Sequence, residues 1–137
     1  MKKRTPVSQI MTAKPITVNV TNKVKDVAQI FTENNIRHIP VVSGSDLIGM
    51  ISKTDIERIS FVSEHQDVRA NTQIYDSLKI EQIMTTNLDT VESNDEIRDA
   101  AKLLASGKYH ALPVLENGQL KGIVTSTDVI DFLLDQY

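Results

Sequence analysis

The feature that most constrains this fold is an internal duplication. Without any gap, each residue from Val7 to Ile59 aligns with the residue 73 positions later, and fourteen of the 53 aligned pairs are identical. Unrelated segments of average composition would share about three identities. The chain therefore contains two copies of one unit, and its fold must repeat one substructure.

Each copy predicts the same order of elements: strand, helix, strand, strand, helix. A short strand, at residues 16–20 or 90–91, precedes a helix whose apolar residues recur at helical spacing. A second strand, a turn and a third strand follow, and Asn117-Gly118 is typical of a tight hairpin turn. The last helix is predicted to begin at Thr54 or at Thr127. The apolar helix faces comprise Val24, Val27, Ala28 and Phe31 in the first copy and Ile97, Ala100, Ala101 and Leu104 in the second.

A unit of about fifty residues is too small to bury its sheet alone. We therefore expect an α/β (α+β) fold in which two pseudo-symmetric repeats pack sheet to sheet in one module. The predicted repeats cover residues 7–59 and 80–133, and a polar segment without a counterpart, residues 60–79, connects them.

Composition and charge argue against several classes of protein. The formal charge of −3 argues against nucleic acid as the main partner, because such proteins need a basic surface. The absence of Cys excludes disulfides, thiolate metal sites and cysteine nucleophiles, and it suits a cytoplasmic protein. No apolar run reaches membrane-spanning length, and the basic start MKKR is not followed by the apolar core of a signal peptide.

The sequence contains no catalytic or metal-binding constellation. His38, His65 and His110 lack the spacing of metal ligands. No Walker loop, dinucleotide-binding glycine motif or nucleophile elbow is present. We therefore expect a protein that is not an enzyme and that holds no metal or cofactor.

One motif recurs in nearly the same form in both copies, as GMISKTD at residues 49–55 and GIVTSTD at residues 122–128. A glycine lets another backbone or a flat ligand approach closely. Thr54 is a good N-cap for the following helix, with Glu57 completing a capping box. The free N–H groups of that first turn would attract phosphate.

The aspartate that ends each stretch, Asp55 or Asp128, has two possible roles. Its carboxylate can accept two hydrogen bonds from a vicinal diol such as that of ribose. It can also simply stabilise the start of a helix, as acidic residues in a first turn commonly do. A duplicated fold would duplicate its caps too, so the repetition leaves both roles open.

These motifs, in this order and twice in one chain, resemble the signature of the CBS domain. The resemblance rests on IRHIPVV followed by SGSDLIGMISKTDI in the first copy, and on YHALPVLENGQLKGIVTSTDV in the second. The Met-Thr pairs at 11–12 and 84–85 and the Thr-Val pairs at 17–18 and 90–91 match as well. The match covers nearly the whole chain apart from the first residues and the connector.

The resemblance implies a tandem CBS pair with two clefts between pseudo-symmetric repeats. In this family the clefts commonly bind AMP, ADP, ATP or S-adenosylmethionine, so one of these is the implied ligand. Asp55 and Asp128 would hold the ribose hydroxyls, and four further residues would contact phosphate or ribose: Ser52, Thr54, Thr125 and Thr127. The residues implied to enclose the adenine are Ile16, Thr17, Val18, Ile39 and Pro40 in the first copy and Asp89, Thr90, Val91, Leu112 and Pro113 in the second.

The two clefts are expected to differ in charge. Family members often place basic residues where this chain has Arg37-His38, while the second copy has His110-Ala111 there. Family sites often combine one repeat's aspartate with the other repeat's early strands, so Arg37 and His38 would serve the cleft of Asp128. The cleft of Asp55 would receive His110 and lie near Asp89, whose charge repels phosphate. The resemblance therefore implies that the Asp128 cleft binds phosphate more tightly.

Two functions remain open at this point. One is a sensor that binds an adenosine-containing ligand and regulates a partner protein, and the other is a structural dimerisation module without a ligand. A homodimer is expected in either case, because two helices look too apolar for one small domain to cover. They are the helix with Val24, Val27 and Phe31, and the C-terminal helix with Val129, Ile130, Phe132, Leu133 and Leu134.

Overall fold

The computed structural model of the chain describes residues 4–62 and 77–137, apart from the side chains of residues 60–62. Most of the predicted connector 60–79, and with it His65, lies outside the described residues. The strands are β1 Thr12–Ala13, β2 Val18–Asn19, β3 His38–Ser43, β4 Asp46–Ser52, β5 Val91–Glu92, β6 Ala111–Glu116 and β7 Gln119–Thr125. The helices are α1 Val24–Glu33, α2 Lys53–Val62, α3 Ile80–Ile83, α4 Ile97–Ala105 and α5 Ser126–Asp135, with a 3-10 turn at Val7–Gln9.

The chain folds into two compact units, each with its own sheet. The middle unit comprises Ile16–Asn87, and the terminal unit combines Met1–Pro15 with Leu88–Tyr137. The predicted order strand–helix–strand–strand–helix is confirmed in both, as β2-α1-β3-β4-α2 and as β5-α4-β6-β7-α5. The fold is thus mixed α+β with two sheets, as the duplication predicts.

The middle unit is built on the sheet β2-β3-β4, in which β2 and β3 are parallel and β3 and β4 antiparallel. Its core joins the apolar face of α1 to one side of this sheet, with one residue each from α2 and α3. The buried residues of this core are Val18, Val24, Val27, Phe31, Ile39, Val41, Ile51, Ile56 and Ile80.

The terminal unit has the four-stranded sheet β1-β7-β6-β5. The predicted hairpin turn joins β6 to β7, and Asn117 and Gly118 both take positive φ angles there, 54° and 78°. Such angles are what a two-residue turn between right-twisted strands requires. The buried core of this unit comprises Val7, Val91, Ala100, Leu104, Leu112, Val114 and Val124.

Each unit takes one short segment from the other sequence repeat. In the terminal unit, β1 pairs antiparallel with β7, with Thr12 opposite Ile123. In the middle unit, Met50 and Thr85 exchange both backbone hydrogen bonds, at 3.0 and 2.9 Å. The compact units and the sequence repeats therefore divide the chain at different places.

The C-terminal helix α5 differs from α1 in how its apolar residues are covered. The α1 residues Val24, Val27 and Phe31 are buried in the middle unit's own core, so the expectation that this face needs a partner was wrong. In α5 no residue is fully buried, and Leu134 is 65% exposed. The expectation of an uncovered apolar face therefore holds for α5 alone.

Candidate functional site

In each unit, the predicted site residues meet at one end of the sheet. The register places His38 of β3 opposite Ser52 of β4, and Ala111 of β6 opposite Thr125 of β7. A helix begins directly after Ser52 and after Thr125. The residues that precede β2 and β5 lie at the same end of the sheet, because these strands run parallel to β3 and β6. We call residues 16–17, 37–38 and 52–55 the middle set, and residues 89–90, 110–111 and 125–128 the terminal set.

The aspartate of the middle set caps helix α2. Its Oδ2 accepts a hydrogen bond from the N–H of Ser52 at 2.9 Å, and the N–H of Asp55 donates to the Ser52 hydroxyl at 3.2 Å. This is a capping box in which Ser52 precedes the helix and Asp55 is its third residue. The expectation that Thr54 is the N-cap, with Glu57 as its partner, was wrong because α2 already begins at Lys53.

The terminal set repeats this geometry. The N–H of Thr125 donates to Asp128 Oδ2 at 2.8 Å, and the N–H of Asp128 donates to Thr125 Oγ1 at 3.2 Å. The N–H of the first residue of each helix is hydrogen-bonded as well. Lys53 donates to the Arg37 carbonyl at 2.8 Å, and Ser126 donates to the His110 carbonyl at 3.1 Å. The capping role of both aspartates is therefore established.

Capping leaves a small group of polar atoms available to a ligand. Within residues 4–62 and 77–137, the second carboxylate oxygen, Oδ1, of Asp55 and of Asp128 has no hydrogen bond. The same holds for the hydroxyl and N–H of Thr54 and Thr127, which are both exposed. Each set thus offers one acceptor, one hydroxyl and one backbone donor, rather than the row of N–H groups expected from sequence.

Several predicted site residues have buried side chains. Ile39 and Leu112 are fully buried, and Ala111 is 8% exposed. A contact from these positions to a ligand would therefore come from the backbone. The other buried members of the predicted site are Val18, Pro40, Val91 and Pro113.

The exposed members give the two sets different characters. Ile16, an apolar residue that is 40% exposed, occupies the place where the terminal set has Asp89. Arg37 is exposed in the middle set, where the terminal set has exposed His110. His38 is half-buried, and Thr17 and Thr90 are exposed. The middle set is therefore apolar and cationic, and the terminal set is acidic.

Tyr109, which the sequence reasoning missed, interacts with Asp89 of the terminal set. Hydrogen bonding to the Asp89 carboxylate, together with desolvation of the hydroxyl and the negative charge of Asp89, raises the pKa of Tyr109 from its ordinary value of 10.0. The available signal was an aromatic hydroxyl directly before His110, where the first copy has the apolar Ile36.

The two motif glycines accommodate protein rather than a ligand. A Cβ on Gly122 would lie 2.6 Å from Met11 Sδ and 2.7 Å from the carbonyl oxygen of Thr12. A Cβ on Gly49 would meet Met84 and Thr85 in the same way, at 2.5 and 3.1 Å. Of the two partners that the sequence left open for these glycines, the one that lies close is a neighbouring segment of the chain, which contributes both a Met side chain and a Thr carbonyl.

The described residues contain neither a metal-binding cluster nor a membrane-spanning helix. Residues 4–62 and 77–137 contain no cluster of three or more His, Asp or Glu side chains arranged to hold a metal ion. No helix in the same part of the chain has the length and apolar character needed to cross a membrane.

Comparison with known proteins identifies the repeats. The family model described as CBS domain matches residues 7–61 and 80–135. Protein MJ1225 of Methanocaldococcus jannaschii is 31% identical over 80% of this chain, which spans 40% of that protein's length. Protein MJ1426 of the same organism is 30% identical, with 88% of this chain and 87% of that protein covered.

A solved structure supports the same assignment. The CBS domain pair of protein MJ0100, in complex with 5′-methylthioadenosine and S-adenosyl-L-methionine, superposes with a TM-score of 0.80. The two chains are 26% identical, and the superposition covers 98% of this chain and 100% of that one.

Proposed function

Because the chain belongs to the CBS-domain family, as a tandem pair of its repeats, we propose that it binds an adenosine-containing ligand through the middle and terminal sets. The observation that carries this proposal is the group of unused polar atoms, repeated in both sets, around Asp55 and Asp128. An ionised carboxylate accepts hydrogen bonds only. Its unused Oδ1, together with the second lone pair of Oδ2, suits the two neighbouring hydroxyls of a ribose.

The other atoms of each set fit the rest of such a ligand. The Thr54 and Thr127 hydroxyls and N–H groups lie at helix N-termini, where the helix dipole favours negative charge such as that of a phosphate. AMP, ADP, ATP and S-adenosylmethionine are the candidate ligands. The structure of protein MJ0100, which holds two adenosine-containing molecules, supports this class.

The ligand acts as a signal in this proposal rather than as a substrate. Asp55 and Asp128 occupy equivalent positions in two repeats, and neither set combines a nucleophile with a base. We place the protein in the cytoplasm, as a module that regulates a partner protein when its ligand binds.

A thermal-shift panel tests the proposal. At a ligand concentration one hundred times the dissociation constant, the free energy of unfolding rises by about 2.7 kcal/mol. We expect at least one of AMP, ADP, ATP and S-adenosylmethionine to raise the melting temperature, with NAD as a further adenine-containing probe. If millimolar concentrations of all of them leave the melting curve unchanged, the proposal fails, and a ligand-free dimerisation module becomes the better account.

We also propose a homodimer, supported by the apolar exposed face of α5. Ile130 and Leu134 lie one helical turn apart on α5 and are 55% and 65% exposed. Light scattering should give a mass of about twice the 15.3 kDa of one chain at micromolar concentration. A mass of one chain across that range would contradict the homodimer.

A further inference from the structure

The middle and terminal sets carry net charges of opposite sign. The middle set contains two cations, Arg37 and Lys53, and one carboxylate, Asp55. The terminal set contains two carboxylates, Asp89 and Asp128, and neither Lys nor Arg. With His counted as neutral, the middle set therefore has a net charge of +1 and the terminal set a net charge of −2.

The difference arises at three matched positions, and each of them makes the terminal set more acidic or less basic. The matched pairs are Ile16 and Asp89, Arg37 and His110, and Lys53 and Ser126. The aspartate and the hydroxyls on which the proposed function depends are present in both sets. The two sets thus share the groups that suit a ribose and differ in the charge around it.

Asp89 performs no capping task of the kind that Asp128 performs. Asp128 accepts the N–H of Thr125 at the start of α5. Within residues 4–62 and 77–137, no backbone N–H donates to the Asp89 carboxylate and no cation forms an ion pair with it. Its side chain is exposed, so its negative charge is available to a ligand.

Tyr109 holds this carboxylate in place without neutralising it. The Tyr109 hydroxyl is hydrogen-bonded to Asp89, and the ring packs against the buried core of the terminal unit. The matching residue of the other copy, Ile36, also packs against its core but carries no polar group. The charge at Asp89 therefore has a fixed support that the middle unit lacks.

Asp89 lies close enough to the start of α5 to act on a ligand bound there. Strands β5 and β7 flank β6 in the sheet, and Asp89 and Thr125 lie at the same end of it. Neighbouring strands are about 4.8 Å apart, so about 10 Å separates the two positions. At that distance salt screens a charge only in part.

We propose that the terminal set selects an adenosine-containing ligand whose 5′ substituent carries a positive charge, whereas the middle set selects phosphate-bearing nucleotides. A site lined by charges of one sign concentrates ligands of the opposite sign. Among the candidate ligands, S-adenosylmethionine has such a substituent, because its sulfur is a sulfonium cation. This assignment rests on the proposed function and specifies the class of ligand for each set.

The assignment differs from the expectation that the cleft of Asp128 binds phosphate more tightly. That expectation placed Arg37 beside Asp128, whereas the structure brings Arg37 to the sheet end that carries Asp55. The phosphate preference accordingly moves to the middle set.

Two ligands that differ in charge but hardly in shape test the proposal. S-Adenosylhomocysteine lacks the sulfonium methyl group and its positive charge. Nuclear magnetic resonance of carbon-13-labelled tyrosine follows the Tyr109 signal, which Tyr109→Phe identifies among the three tyrosines. S-Adenosylmethionine should shift this signal with a dissociation constant at least about tenfold lower than that of S-adenosylhomocysteine. Added ATP should not displace it.

Asp89→Asn removes the charge and keeps the size of the side chain and a hydrogen-bond acceptor for Tyr109. It should lower the preference for S-adenosylmethionine at least about fivefold, with little change in the affinity for S-adenosylhomocysteine. Asp95→Asn is the control, because Asp95 lies in the same unit, outside the terminal set, and accepts the N–H of Glu92. It should leave the preference unchanged. Circular dichroism and the melting temperature establish that both variants are folded.

The outcomes separate this proposal from the proposed function. If no adenosine-containing ligand binds, both are overturned. If such ligands bind, equal affinities for the two sulfur compounds at Tyr109 overturn the charge selection alone, and this comparison needs no variant. Displacement by ATP, a Tyr109 signal that no bound ligand shifts, or an unchanged preference in folded Asp89→Asn overturns it as well.

Discussion

Asp128 performs two tasks in the proposed site, and the first of them already occupies one of its two carboxylate oxygens. Oδ2 caps α5, while Oδ1 is unused within residues 4–62 and 77–137 and is offered to the ribose. The same division holds for Asp55. A loss of ligand affinity on substitution is therefore informative only if the loss of the cap is measured separately.

Asp99 provides the matched control for this separation. Its Oδ2 accepts from the N–H of Glu96 at 3.1 Å at the start of α4, and Asp99 is not part of the terminal set. Asp128→Ala and Asp99→Ala should each lower the free energy of unfolding by about 1 kcal/mol, measured with urea. Calorimetry should show a large loss of ligand affinity for Asp128→Ala alone, and an equal loss for Asp99→Ala would attribute the effect to helix capping.

Tyr109 should ionise at a higher pH than an ordinary tyrosine. Asp89 stabilises the protonated hydroxyl by accepting its hydrogen bond, which raises the pKa of Tyr109. Because the pKa is raised in the folded state, the stabilisation is present below the ordinary pKa and is lost as pH rises through the folded-state pKa. Asp89→Asn should lower the pKa of Tyr109 towards 10.0.

An ultraviolet absorbance titration measures this ionisation, and Tyr109→Phe identifies its step among the three tyrosines. Asp95→Asn serves as the control, because Asp95 lies in the same unit and bonds to the N–H of Glu92 instead. An unchanged titration in Asp89→Asn would contradict the assignment.

At the scale of elements, each motif glycine allows a Met-Thr segment to cross its strand. The two crossings differ in which atom is closest. At Gly122 the carbonyl oxygen of Thr12 is as close as the sulfur of Met11, whereas at Gly49 the near atom is the flexible end of Met84. A sulfur at the end of a side chain can move more easily than a carbonyl in a paired strand.

Gly122→Ala should therefore destabilise the protein more than Gly49→Ala, with a cost of about 1–3 kcal/mol for overpacking. Adding Met84→Ala should recover much of the loss in Gly49→Ala. Adding Met11→Ala should recover little in Gly122→Ala, because the Thr12 carbonyl remains. Urea unfolding measures all four variants, and equal costs at the two glycines would contradict the described crossings.

The element order could be predicted from the sequence, whereas the helix starts could not. The hydroxyls Ser52 and Thr54 each precede an acid by three residues, so both spacings satisfy a capping box. The strand register decides between them, because the N–H of Lys53 is already bonded to the carbonyl of Arg37 at the end of the hairpin. That bond depends on tertiary pairing that local spacing does not encode.

At the scale of the whole molecule, the duplication predicted two similar units but not their composition. Sequence similarity says which segments are alike, and it does not say which of two alike segments packs on which sheet. The glycines predicted a close approach, and only the structure identifies Met11-Thr12 on β7 and Met84-Thr85 on β4 as the segments that approach. Some of the residues predicted to enclose the adenine have buried side chains, and the sequence alone could not distinguish them from core residues.

The difference in charge between the two sets leads to a prediction about ligand choice. Arg37 keeps its charge at any physiological pH and suits a polyphosphate. Arg37→Ala should weaken ATP binding more than adenosine binding, while Lys25→Ala, which removes an exposed cation outside the set, should change neither. Calorimetric titration of both variants measures this, and an equal loss for ATP and adenosine would contradict a phosphate-binding role of Arg37.

The most direct test of the central claim is calorimetric titration of the wild type, of Asp55→Ala, of Asp128→Ala and of the double variant. The titrant is the adenosine-containing ligand with the largest thermal shift. We predict measurable binding to the wild type, a loss of affinity for each single variant, and no detectable binding to the folded double variant. A double variant that binds as tightly as the wild type would contradict the account, because the ligand would then bind without either aspartate.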